Sequence, residues 1–158
     1  MRYCHVSQDQ LLAALHTLHS VTSVEELSLD SVPLSRVSDD ELGRAVTRVH
    51  HLDLNNTGLS HSQLSQLLVH LPLSRVQSLS LSGQNLSGLA PGLLCLPCDQ
   101  VTSLDLANAS LTETQISALF TAIIWSDTIE VRFALHLNFS IYLSFSFLIW
   151  FLMIRTLI

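Results

Sequence analysis

The sequence predicts an α/β solenoid, short and uncapped: parallel strands line a concave face, helices line the convex face, and a hydrophobic C-terminal tail follows. Three observations predict it. The motif V-x-x-L-x-L occurs four times, at residues 24–29, 49–54, 76–81 and 101–106, with spacings of 25, 27 and 25 residues. Five residues after each copy stands another leucine, Leu34, Leu59, Leu86 and Leu111. Between copies the apolar spacing changes from every second residue to the three-and-four spacing of a helix. A single strand–helix unit cannot bury its own apolar side, whereas stacked units share one continuous core.

Each element follows from its local pattern. The L-x-L end of each motif puts two leucines on one side of a short strand. Leu11, Leu12, Leu15 and Leu18 follow Ser7-x-x-Gln10, and Leu42 follows Ser38-x-x-Glu41. Leu64, Leu67, Leu68 and Leu71 follow Ser60-x-x-Gln63, and Ile116, Leu119, Phe120 and Ile123 follow Thr112-x-x-Gln115. A hydroxyl three residues before Glu or Gln is the capping-box signature of a helix start. A longer period overlies the first: Leu27 and Leu79, Asn56 and Asn108, Gln63 and Gln115, Leu71 and Ile123 all lie 52 residues apart. Two kinds of unit therefore alternate.

These motifs make residues 1 to about 125 resemble the leucine-rich repeat family, with its pattern L-x-x-L-x-L-x-x-N-x-L. The unit length and alternation resemble the ribonuclease-inhibitor-like subclass, seen also in NOD-like receptors and F-box leucine-rich proteins. The resemblance implies a protein-interaction scaffold and leaves the partner open. The chain departs from the family at the Asn position, which is Val32, Thr57, Gln84 and Ala109 here. Val and Ala cannot bond the backbone of the turn as Asn does, so irregular turns are expected, with Asn56, Asn85 and Asn108 as partial substitutes.

Composition divides the chain. Leucine occurs 33 times and lysine not at all, and the net charge is −6. A lysine-free acidic chain lacks the footprint for nucleic acid. Of ten aromatic residues, only Tyr3 precedes residue 119, and residues 133–154 carry no formal charge. The expected division is a repeat array over residues 1–128, about four and a half units, and a tail over 129–158. As a helix, the uncharged stretch would span about 33 Å, enough for a bilayer core. The tail is therefore either a membrane anchor, a degenerate final repeat led by Leu135 and Leu137, or a read-through segment. At the other end, Met1 aligns with Leu54, which reads as a start inside a strand and hence a fragment or isoform of a longer array. Residues 1–10 hold no apolar run, so the expected location is cytoplasmic, with membrane anchoring by the tail as the alternative.

Chemistry-bearing residues are better explained by the repeat. In Cys95-Leu96-Pro97-Cys98, Cys98 aligns with Leu73 and Pro97 with Pro72, which makes Cys98 a core residue rather than half a redox pair or zinc site. His50 and His51 are adjacent in a strand, so strict alternation points them to opposite faces; His16 and His19 share a helix face without a carboxylate at ligand spacing. Asp53 and Asp105 are two strands apart, about 9–10 Å. Asn55, Asn85, Asn108 and Asn138 open glycosylation sequons that the Ser- and Thr-rich turns explain as coincidence. No enzyme, metal or cofactor is expected.

The expected binding surface is the concave strand face. Its outward positions form three rows: Glu26, His51, Ser78, Ser103; then Ser28, Asp53, Ser80, Asp105; then Asp30, Asn55, Ser82, Ala107. These rows hold four acids and no arginine, and favour another protein bearing a basic segment. The function expected is a non-enzymatic interaction module; the alternative is a membrane-tethered repeat protein held by residues 133–154.

Overall fold

The structure, a computed structural model, describes residues 8–18 and 20–125. The described part is α/β. Its four strands are β1 (Val24–Ser28), β2 (Val49–Asp53), β3 (Ser78–Ser80) and β4 (Ser103–Asp105), and they form one parallel sheet in the order β1-β2-β3-β4. The helices are α1 (Gln8–Leu18), α2 (Asp39–Val46), α3 (His61–His70), α4 (Pro91–Cys95) and α5 (Glu113–Trp125). Every connection between successive strands contains one of them. Helix α2 packs on α3, α4 on α5 and α1 on α2, so the helices stack in the same order as the strands.

The strand register matches the motif copies residue for residue. Leu27 pairs with Leu52, Leu52 with Leu79, and Leu79 with Leu104. Leu52, Leu54, Leu79 and Leu81 are buried, as are Leu34, Leu42, Leu64, Leu67, Leu68, Leu71 and Leu86. Burying a leucine side chain contributes roughly 1.5–3 kcal/mol, so this shared leucine core is the main favourable term.

Polar groups close the helix starts as the sequence suggests. Ser60 and Gln63 form a complete capping box on α3. On α5, Thr112 N donates to Gln115 Oε1 at 2.8 Å and Gln115 N to Thr112 Oγ1 at 3.3 Å. Ser38 caps α2 through Glu41 N. Helix α4 differs. It has no side-chain cap, starts at Pro91, and gives way to a 3-10 turn at Leu96–Asp99. Proline suits a first helical position but cannot continue a helix interior, and Pro91 and Pro97 confine this helix to five residues.

The turns after the strands correct the expectation of irregularity. Ser31, Asn56, Gly83 and Asn108 stand at one repeat position and all have positive φ, at 60°, 54°, 73° and 55°. Asn and Gly tolerate this left-handed conformation best. Asn56 and Asn108 therefore serve through their left-handed backbone, and Asn56 Nδ2 also donates to Asp30 Oδ1 at 3.5 Å. A second positive φ occurs at Gly58 (66°) and Ser110 (52°), again 52 residues apart.

The ladder of backbone bonds continues through these turns. Leu29, Leu54 and Leu81 donate to the carbonyls of Asp53, Ser80 and Asp105; Ser31, Asn56 and Gly83 donate to those of Asn55, Ser82 and Ala107. Buried glutamines add side-chain bonds between units. Gln63 Nε2 donates to Leu34 O at 2.8 Å and Val37 O at 2.6 Å, and Gln115 Nε2 does the same to Leu86 O at 2.8 Å and Leu89 O at 2.7 Å. Gln84 Nε2 donates to Leu54 O at 2.6 Å and to Thr57 Oγ1 at 2.8 Å, while its Oε1 accepts from Leu59 N at 3.2 Å. All three glutamines are buried. Buried backbone groups must find partners, and these amides supply them.

Among the described residues, no helix is long and apolar enough to cross a membrane. Met1, Ser7, His19, Asn138 and the tail over 129–158 lie outside the described residues.

Candidate functional site

The sheet face turned away from the leucine core carries the outward residues in register. Glu26 pairs with His51, His51 with Ser78, and Ser78 with Ser103. Ser28 pairs with Asp53, Asp53 with Ser80, and Ser80 with Asp105. The backbone ladder through the turns carries the third row, Asp30, Asn55, Ser82 and Ala107, beside them. The structure therefore brings together all eleven polar residues proposed from the sequence. A shallow depression of about 480 Å³ lies among them, lined by Glu26, His51, Leu52, Asp53, Asn55, Ser78 and Ser80.

The face is held in shape by its own hydrogen bonds. Asp53 accepts from Asn55 N at 3.0 Å and from Ser28 Oγ at 3.1 Å. Asp105 takes the same two kinds of bond, from Ala107 N at 2.9 Å and Ser80 Oγ at 3.3 Å. Asn55 Oδ1 accepts from Ser80 Oγ at 2.6 Å and Ser82 N at 2.8 Å. Asp30 accepts from Ser31 Oγ at 3.0 Å. These bonds fix the carboxylates without neutralising them, because every donor is a neutral hydroxyl, amide side chain or backbone N–H.

Glu25 and His50 were not among the residues expected at this face. Glu25 is exposed, and its carboxylate lies 3.5 Å from both His50 Nδ1 and His51 Nε2. Adjacent histidines thus reach one carboxylate, contrary to the opposite-face expectation. The signal was present in the motif. Val49 and Leu52 are both buried with two residues between them, so alternation lapses over that step and holds only from Leu52 onward. His50 and His51 then both stand on the outer side, with side chains 27% and 48% exposed.

Acids also stand on the helices, but arginine is kept off the strands. The strand residues include Glu25, Glu26, Asp53 and Asp105 but no arginine. Arg44 pairs with Asp40 on α2 at 2.6 Å, and Arg48 donates from Nη1 to Val21 O at 2.6 Å. His16, expected without a carboxylate, has Glu41 at 3.5 Å, away from this face.

The remaining chemistry is placed as follows. Among the described residues, no group of three or more His, Cys, Asp or Glu is arranged to hold a metal ion. Cys95 is half-buried and Cys98 is buried. Burial, the neighbouring Cys95 and the Asp99 carboxylate push the Cys98 thiol up to about 12. Burial and then Asp99 raise Cys95 as well. A redox or metal-binding cysteine needs the opposite shift, toward thiolate. Of the three described sequons, Asn85 and Asn108 are exposed, whereas Asn55 is half-buried and bonded as above.

No protein-family model, no curated protein and no solved structure matches the chain.

Proposed function

We propose that the chain is a short leucine-rich-repeat solenoid of the ribonuclease-inhibitor-like kind, acting as a non-enzymatic, cytoplasmic interaction module that takes a basic segment of another protein on its outer strand face. The matched register of four motif copies and the repeat of bonds at 52 residues support the architecture. The observation that carries the function is the charge pattern. Glu25, Glu26, Asp30, Asp53 and Asp105 are gathered on one polar sheet face whose strands hold no arginine. Complementary charge steers association and sets specificity. Small hydroxyl side chains at Ser78, Ser80, Ser82 and Ser103 let a partner's main chain approach the β3–β4 half.

The test is a titration of the full chain with a labelled nona-arginine peptide at low salt. Asp53→Asn together with Asp105→Asn keeps hydrogen-bond acceptors for Asn55 N and Ala107 N and removes both charges. This double variant is expected to weaken binding about tenfold and flatten its salt dependence. Asp53→Lys with Asp105→Lys is expected to weaken it further. Affinity and salt dependence equal to the parent's in both variants would contradict the reading.

A further inference from the structure

We propose that His50 and His51 make the capture of a basic partner pH-dependent, with binding strong near pH 7.5 and weakened near pH 5.5. This rests on the proposed function of the strand face and adds a regulation to it.

The geometry is specific. Glu25, on β1, stands 3.5 Å from an imidazole nitrogen of each histidine on β2. His51 also lines the depression that contains Glu26 and Asp53. At the β1–β2 end, three carboxylates therefore face two imidazoles. Imidazole takes up its proton across the range between about pH 8 and 5. With both rings neutral, all three carboxylates attract a cationic partner. With both rings protonated, Glu25 is engaged by its two neighbours, and two positive charges offset two of the three negative ones. A guanidinium approaching the depression then meets His51 as a like charge.

The surrounding elements do not supply a competing titration at this spot. β3 contributes Ser78 and Ser80, with Gln77 just before it, and β4 contributes Asp105 at the far side. Arg48, immediately before β2, is directed to Val21 O, and Arg75 precedes β3. The other described histidines lie on helices. His16 faces Glu41, His61 Nε2 meets Asn85 O at 3.1 Å, and His70 Nδ1 meets Gln66 O at 2.7 Å. His16 thus provides an internal control, a histidine–carboxylate pair with the same separation away from the face.

The test measures the affinity of the full chain for nona-arginine at pH 7.5 and 5.5 and constant ionic strength; the peptide's charge does not change over this range. The parent is expected to bind about tenfold more weakly at pH 5.5. His50→Gln with His51→Gln is expected to lose most of the pH effect, read as the ratio of its own affinities at pH 7.5 and 5.5. His51→Gln alone is expected to lose about half, and His16→Gln none. Binding at pH 7.5 that is unchanged at 5.5, or a pH effect that survives in the double variant, overturns the inference and leaves the proposed function standing. No binding at either pH overturns the proposed function, and the inference with it.

Discussion

The middle seam of the sheet is built differently from the two seams flanking it. Where β1 meets β2, and again where β3 meets β4, a backbone bond closes the turn: Leu34 N to Thr57 O, and Leu86 N to Ala109 O, each 3.0 Å. Gln63 and Gln115 then reach back from the following helix to two carbonyls of the preceding unit. Where β2 meets β3, the equivalent N–H, that of Leu59, bonds the side chain of Gln84 instead. The outer seams are copies displaced by 52 residues; in the middle one, a side chain stands in for main chain. The true structural repeat in the described residues is therefore a pair of units, and each glutamine closes the join that its neighbours leave open.

The comparison can be broken first at Gln84. Gln84→Leu removes every polar contact of a buried side chain and orphans the Leu59 N–H, at about 3 kcal/mol. Gln63→Leu and Gln115→Leu are expected to cost less, about 2 kcal/mol each. Their Oε1 atoms serve only part-buried cap N–H groups, which water can reach. Urea unfolding of the three variants checks the order. A double-mutant cycle sharpens it: Thr57→Val and Gln84→Leu are expected to couple by at least about 0.5 kcal/mol, while Gln84→Leu and Gln115→Leu add independently.

The turns give a smaller effect. Gly83→Ala is expected to lower stability by about 1–2 kcal/mol because alanine resists the φ of +73° there and its Cβ meets the Asn56 side chain. Gly83→Asn restores part of that loss, as Asn56 and Asn108 hold the same conformation. At Gly58, with φ +66° and open space around it, alanine is expected to cost about 1 kcal/mol. Equal losses at both glycines would remove the steric part of the account.

The last effect appears only at high pH, and near pH 9 it is still below about 1 kcal/mol. The Cys98 thiol is raised to about 12 in the folded chain. The folded state therefore keeps a proton that the unfolded chain gives up above its ordinary value of about 8.5. This contribution is fully present below about pH 8.5 and is lost as pH rises toward about 12. Cys98→Ala is expected to lessen the fall in stability across that window relative to the parent, and slow alkylation of Cys98 at pH 9 checks the same point.

Much of this was legible in the sequence, for reasons that can be named. Leucines at fixed offsets located the strands, because the period of side-chain direction leaves few alternatives once four copies agree. The Ser60/Gln63 and Thr112/Gln115 pairs marked helix starts because the cap is local. The polar rows followed from register alone. What escaped was non-local or depended on a lapse in the pattern. Gln84 stands where the resemblance has Asn; only the neighbouring unit shows that its longer side chain reaches Leu54 and Leu59. Glu25 and His50 were hidden by assuming strict alternation across V-x-x-L, where a three-residue step breaks it. The left-handed turn at Ser31, Asn56, Gly83 and Asn108 is signalled by Asn and Gly at one offset, but Ser31 at the same offset weakens the signal.

The most direct test of the proposed binding face is where a basic peptide leaves its footprint. Amide hydrogen exchange of the full chain, with and without nona-arginine, separates the two sides of the sheet. The account predicts added protection at β2 to β4 and in the turns after them, centred on His51, Asp53, Asn55 and Ser80, with α2, α3 and α5 unchanged. Protection confined to the helices, with the strand face unaffected, would contradict it.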